Sequence, residues 1–204
     1  MKLVFASNNK HKIQEIKMLM EKYFSVVDTD KYFEIVGLEQ IGCLEDIPET
    51  ADTVEGNAII KADYVTQNYD FSCFADDSAL EVEVLNGNPG VFSARYAGEQ
   101  KNDQDNIRKL LLELENKTNR NAQFKTVIAL NLNGKQHIFT GIVKGKIITE
   151  KRGTNGFGYD PIFVPENYDK TFAELNSEEK NKISHRARAF EQFACFLKNS
   201  LQKF

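Results

Sequence analysis

Two periods of hydrophobic and polar residues run through this chain, and the switches between them mark its elements. Leu3 to Ala6 is a short apolar run that reads as a strand, followed by the polar loop Ser7-Asn8-Asn9. Ile13, Ile16, Met20 and Tyr23 or Phe24 then recur at helical spacing on one face. Residues 34 to 55 hold Glu45, Asp46, Glu49, Asp52 and Glu55 with neither period, and read as an acidic, irregular segment. A second helix is predicted from Gly56 to Tyr69, with Ala58, Ala62 and Val65 inward. Phe71 to Ala75 reads as a buried strand that runs into Asp76-Asp77-Ser78. Beyond it, Leu80, Val82 and Val84 alternate with Glu81 and Glu83 as in a half-exposed strand.

The second half repeats this mixture. Asn86-Gly87-Asn88-Pro89-Gly90 is a turn, and Asp105 opens a helix whose apolar face is Ile107, Leu110, Leu111 and Leu114. Segments 123–132 and 135–149 flank Asn133-Gly134, the pair that best specifies a tight hairpin. The glycine-rich loop Gly153-Thr154-Asn155-Gly156-Phe157-Gly158 leads into Tyr159-Asp160-Pro161. One long terminal helix is then predicted, with Asn176 or Ser177 as N-cap and Glu179 in its first turn. Its core stripe is Ile183, Ala187, Phe190, Ala194, Leu197 and Leu201. Strands mingled with helices, with one antiparallel hairpin among them, predict an α/β fold on a mixed sheet.

Composition narrows the function classes. With 204 residues the chain can form a single domain with a sizeable core, and no apolar run is long enough to span a bilayer. The N-terminus has no secretory pattern, so a cytoplasmic, non-membrane protein is expected. Cys43, Cys73 and Cys195 are widely spaced, as are His11, His137 and His185, which argues against zinc. The net charge of −4 disfavours binding along a nucleic-acid backbone. A local basic pocket is still allowed.

Four clusters carry candidate chemistry. Ser7, Asn8, Asn9, Lys10, His11 and Lys12 open a helix after a strand. Free amides and lysines at such a helix start attract phosphate, although a capped surface helix would look the same. Asp76-Asp77-Ser78 places two carboxylates at the end of a buried strand, which is costly without a cation or hydrogen bonds. Successive strand residues point to opposite faces, so one aspartate is expected to face the site and the other to brace the loop. With Glu49 as a second carboxylate, hard oxygen ligands of this kind suit Mg²⁺ beside substrate phosphates. Phe157-Gly158-Tyr159 can present flat rings to a base and Asp160 can meet its edge, or the segment is a turn with core aromatics. Finally, Lys180, His185 and Arg186 can donate to a keto group or phosphate, or lie on a solvated helix face. Only in combination do the four point to a nucleotide.

The stretches SNNKHKIQEIK, FADDSALEVEVLNGNPGVFSARYAG, GTNGFGYDPIFVP and FAELNSEEKNKISHRARA resemble, in order, the motifs of the noncanonical purine nucleoside triphosphate pyrophosphatases, the Ham1/RdgB family. The resemblance spans Leu3 to about Ala189. It implies one domain over residues 1–204, elongated and two-lobed, with the active site in the cleft between the lobes, and a homodimer. It further implies hydrolysis of ITP, dITP and XTP to the monophosphate and pyrophosphate with Mg²⁺. Ser7 to Lys12 would hold the triphosphate, Asp77 would be the catalytic carboxylate and a metal ligand, and Glu49 the second metal ligand. Ser78, Phe157, Gly158, Tyr159, Asp160, Lys180, His185 and Arg186 match substrate positions, and Lys61 and Arg95 look like further basic residues of the site.

Three positions depart from the family pattern. Ala79 and Ala187 replace glycines, and Gly56 stands where a second glutamate often precedes Asn57. A loss at Ala79 is expected only if that position requires a positive φ. Two other readings stay open at this point: a pyrophosphatase of modified pyrimidine nucleotides with a related Maf-type fold, and a catalytically silent nucleotide-binding module.

Overall fold

The computed structural model describes residues 1–24 and 33–201, without the side chain of Leu201. Among the described residues, seven strands form one mixed sheet: β1 (Lys2–Phe5), β2 (Glu34–Gly37), β3 (Ser72–Val82), β4 (Pro89–Gly90), β5 (Asn121–Leu132), β6 (Lys135–Ile147) and β7 (Phe163–Pro165). Their order is β2-β1-β3-β5-β6-β7, with β4 attached to β3. β1 pairs in parallel with both β2 and β3, whereas β4 and β7 pair antiparallel with β3 and β6. The helices are α1 (Lys10–Tyr23), α2 (Val54–Tyr69), α3 (Asp103–Glu113), α4 (Ser177–Ile183) and α5 (His185–Leu201). None of the described helices is long and apolar enough to cross a membrane. The predicted α/β class with a mixed sheet is the one found.

The chain divides into two compact units, each assembled from separated segments: residues 1–77, 126–141 and 187–204 in the first, and residues 78–125 and 142–186 in the second. Each unit has its own core. In the first, Leu3 and Phe5 of β1, Ile16 and Leu19 of α1, and Phe74 of β3 pack with Phe190, Phe193 and Leu197 of α5. Phe74 lies 4.8 Å from the rings of both Phe5 and Phe193. In the second, Leu80, Ile107, Leu110, Phe124, Phe163 and Phe172 form the centre, with the Phe124 and Phe163 rings at 4.7 Å.

Several elements differ from their expected form. The segment predicted to be irregular contains β2 and a short 3₁₀ turn at Glu39–Ile41. Pairing with β1, not local periodicity, makes β2 a strand. Ile13, expected on the buried face of α1, is 41% exposed, and Ile16 with Leu19 forms the buried pair instead. α3 begins at Asp103, because Asn102 accepts from the amides of Gln104 and Asp105 and so caps it earlier than Asp105. β3 runs unbroken through Asp76-Asp77-Ser78 and ends before Val84, which lies in a 3₁₀ turn.

The terminal helix is two helices. Asn176 caps α4 in a reciprocal box with Glu179, as anticipated. Ser184 then adopts φ −65° and ψ 155°, an extended conformation that ends α4 and precedes α5. Serine is a favoured residue at such a helix start. The hairpin turn at Asn133 and Gly134 has positive φ at both residues (51° and 72°), as the right-handed twist of its strands requires. Ala79 lies buried in β3 and is not among the residues with positive φ, so its side chain carries no backbone strain.

Candidate active site

The first unit gathers carboxylates and ammonium groups around the middle of β3. Asp76 and Asp77 are both buried, at 1% and 8% exposure, and their side chains alternate across the strand. From α2, Lys61 reaches this point: its Nζ lies 2.6 Å from Glu49 Oε1, 2.8 Å from the Asp76 carbonyl oxygen and 3.5 Å from Asp77 Oδ1. Lys12 of α1 approaches from its own helix, with Nζ 3.3 Å from both Asp76 Oδ2 and the Asp76 carbonyl. Two ammonium groups therefore converge on one carbonyl oxygen, with three carboxylates around them. Asn57, one helical turn before Lys61, donates to Asp77 Oδ2 at 3.4 Å and accepts from the amide of Ala51 at 2.9 Å.

Burial pushes the Asp77 carboxyl above its ordinary range, opposed by Lys61 and Lys12. Burial also disfavours the Lys61 ammonium. Asp77, Glu49 and Asp76 together outweigh that effect and hold its pKa above the usual lysine value. Lys61 is thus charged at neutral pH, and Asp77 is a more basic carboxylate than one in water.

Among the described residues, no group of three or more His, Cys, Asp or Glu side chains is arranged to hold a metal. The donor set still fits a hard cation. Glu49 and Asp77 share one ammonium partner, so their oxygens face a common region, and Mg²⁺ needs only one or two carboxylates when water and phosphate supply the rest. Among the described residues, no thiol or imidazole joins them.

At the start of α1, Ser7 is half-buried, while Asn8, Asn9, Lys10 and His11 are exposed. Asn9 Oδ1 accepts from the amides of His11 and Lys12, so two first-turn N–H groups are already capped by the chain itself. Ser7 Oγ accepts from the Asn9 amide at 3.3 Å.

In the second unit, Arg186 is 1% exposed and donates to Ser78 Oγ at 3.1 Å. Its guanidinium lies 5.8 Å from the centre of the Phe157 ring, and the Lys180 ammonium lies 5.0 Å from the same ring. Lys180 also donates to Asp160 Oδ2 at 2.6 Å, both groups being buried. That oxygen accepts the Phe157 amide as well, so Asp160 shapes the loop while it pairs with Lys180. Gly156 has φ 74° and a Cβ there would meet Asp160 Oδ2 at 2.0 Å, which makes glycine obligatory. The Gly158 amide donates to Asp103 Oδ2.

Tyr159 is a core ring whose hydroxyl donates to the Ser93 carbonyl, so the flat aromatic surface is Phe157 alone. His185 is buried and stacks on Phe124 at 4.6 Å with 10° between planes. Arg95 is partly buried beside the exposed Phe92 ring at 5.3 Å, with Glu99 at 3.9 Å. Its segment is pinned by Asn106, which donates to the Ala94 carbonyl and accepts from the Ala97 amide.

Sequence reasoning passed over Asn57, Asp76 as the acceptor for both lysines, Phe124 and Asn106. Asn57 alone had a readable signal: a polar residue one turn from Lys61 on a face otherwise made of Ala58, Ala62 and Val65.

The first unit thus brings two ammonium groups and carboxylates that suit a hard cation to one strand, and the second sets a guanidinium and an ammonium group near one aromatic ring. The chain belongs to the Ham1 family, whose model matches residues 3–196. It is 65% identical to the "dITP/XTP pyrophosphatase" of Flavobacterium johnsoniae over 94% of this chain and 95% of that protein. To the protein of the same name from Flavobacterium psychrophilum it is 62% identical, over 98% of this chain and all of the other. The solved structure of the Staphylococcus aureus Ham1 protein is 41% identical and superposes with a TM-score of 0.86, covering 98% of this chain and all of that one.

Proposed function

We propose that this chain hydrolyses dITP, ITP and XTP to the nucleoside monophosphate and pyrophosphate, removing them from the nucleotide pool. The observation that carries the reading is Lys61, buried and charged between Glu49, Asp77 and the Asp76 carbonyl. A silent binding module has no need of a buried ammonium shared by two carboxylates.

Lys12 and Lys61 receive the triphosphate, with Lys10 and the start of α1 completing the phosphate contacts. Glu49 and Asp77 would hold Mg²⁺, which when bound supplies charge neutralisation for the phosphates. Two ammonium groups against three carboxylates leave one negative charge in excess, a balance that a bound divalent cation would reverse in favour of a polyanion. Asp77 accepts a proton from the attacking water, whose oxygen bonds to the α-phosphorus while the bond to the pyrophosphate oxygen breaks. The lysines stabilise the charge that develops on the leaving pyrophosphate.

The base is assigned to Phe157, with Arg186, Lys180 and His185 around it. Arg186 is a permanent donor, so it matches the six-keto oxygen of hypoxanthine and xanthine and leaves the six-amino group of adenine facing a donor. A buried polar mismatch of this kind discriminates by up to about 10⁴-fold. The working form is a cytoplasmic homodimer that acts on free nucleotides, not on nucleic acid.

The test is to incubate the protein with ITP, XTP, GTP and ATP, with and without Mg²⁺, and to assay pyrophosphate and orthophosphate separately. Mg²⁺-dependent pyrophosphate from ITP and XTP, with little from ATP, is the expected result, and the GTP rate reads recognition other than that of the six-keto oxygen, which guanine shares. Orthophosphate as first product would place the cut at another bond, and ATP turned over as fast as ITP would end the keto-reading assignment.

A further inference from the structure

The acidic segment that carries Glu49 runs antiparallel to α2. Ala51 meets Asn57, Glu49 meets Lys61, and Glu45 meets Tyr64 and Tyr69, so the segment runs backward as the helix runs forward. At the first end, the Ala51 amide donates to buried Asn57, and Gly56 leaves room for it, since a Cβ on Gly56 would stand 2.6 Å from the Ala51 Cβ. At the far end, Glu45 Oε1 accepts both phenolic hydroxyls, from Tyr64 at 2.8 Å and Tyr69 at 2.6 Å. Its other oxygen accepts the Leu44 amide at 3.1 Å.

The covalent chain alone does not hold Glu49 in place. From Asn57 to Tyr64 the helix rises about 10 Å. The six residues after Glu45 that reach Ala51 can extend to about 20 Å. Such a segment has slack and needs both ends fastened for its middle to have one position. Two phenols donating to one carboxylate are charge-assisted bonds, stronger than neutral ones.

We infer that Glu45, Tyr64 and Tyr69 form a clamp whose task is to position Glu49 as a metal ligand, so that these three residues, none of which touches the reacting atoms, set the affinity for the divalent cation. The hydroxyl donors hold the Glu45 carboxyl down to about 2, so the clamp stays charged wherever the enzyme works. The inference rests on the metal role assigned to Glu49 above.

The double variant Tyr64→Phe/Tyr69→Phe removes both hydroxyls and keeps both rings. Partners of ligands typically change metal affinity by about 10- to 100-fold. The half-saturating Mg²⁺ concentration is therefore expected to rise about tenfold, with kcat at saturating Mg²⁺ retained. Hydrogen exchange of the amides from residue 44 to 52 should accelerate in the same variant, without nucleotide or metal. Glu45→Ala should reproduce both effects, and Glu45→Gln, which keeps an acceptor oxygen, should largely restore them. Unchanged exchange in the double variant, or faster exchange with an unchanged Mg²⁺ requirement, would overturn the inference. The exchange measurement does not depend on turnover, so a wild-type protein that released no pyrophosphate would sink the activity reading and leave the clamp to be judged separately.

Discussion

Gly56 sits in the first turn of α2 beneath Ala51, with Thr53 Oγ1 accepting its amide. On an open helix face, glycine to alanine gains up to about 1 kcal/mol from propensity and the unfolded chain. Here the added methyl meets Ala51, and overpacking costs about 1–3 kcal/mol. Gly56→Ala is expected to lower stability by about 1 kcal/mol in urea unfolding, opposite in sign to the usual effect. Asp77 is separable from stability in another way: Asp77→Asn keeps the side-chain volume and one acceptor but removes the base. A fold unchanged by circular dichroism with turnover reduced about 10²- to 10⁴-fold is expected. Near wild-type turnover would remove Asp77 from the mechanism. Asp77 was legible because paired carboxylates at the end of an apolar run are conspicuous, Glu49 was one acid among several in a segment without a period, and Lys61 came from the family resemblance. Asn57 and Asp76 were not assigned their parts, because those depend on which helix lies over which strand.

The break between α4 and α5 shows what periodicity conceals at the level of elements. Ile183 and Ala187 are four residues apart, so the apolar stripe passes over Ser184 without a flaw in spacing, although Ser184 is extended. The break lies between Lys180, which faces Asp160, and the pair His185 and Arg186. β2 was missed for the converse reason: four residues have too little pattern of their own, and the parallel pairing with β1 defines them. The α4 pair gives the clearest energetic expectation. Lys180→Met would remove the ammonium group that pairs with the buried Asp160, which costs about 3–5 kcal/mol, whereas adding Asp160→Asn should recover much of that loss. Denaturation of the single and double variants reads the difference. Equal losses in both would show that the cost does not come from the Asp160 charge.

For the molecule as a whole, the α/β class, the hairpin at Asn133-Gly134 and the family were readable from residue order. The division into two units was not read from periodicity, since β3, β5 and β6 each contribute residues to both and no linker marks a boundary. That interleaving has a consequence for synthesis. A ribosome delivers residues in order, and the second unit needs nothing after residue 186, while the first needs Phe190, Phe193 and Leu197 to close its core around Leu3, Phe5 and Phe74. The strand that holds Leu3 and Phe5 thus leaves the exit tunnel well before the helix that completes its core. Until Phe190, Phe193 and Leu197 emerge, Leu3, Phe5 and Phe74 have only part of their apolar cover, the interval in which a chaperone has most to offer this protein.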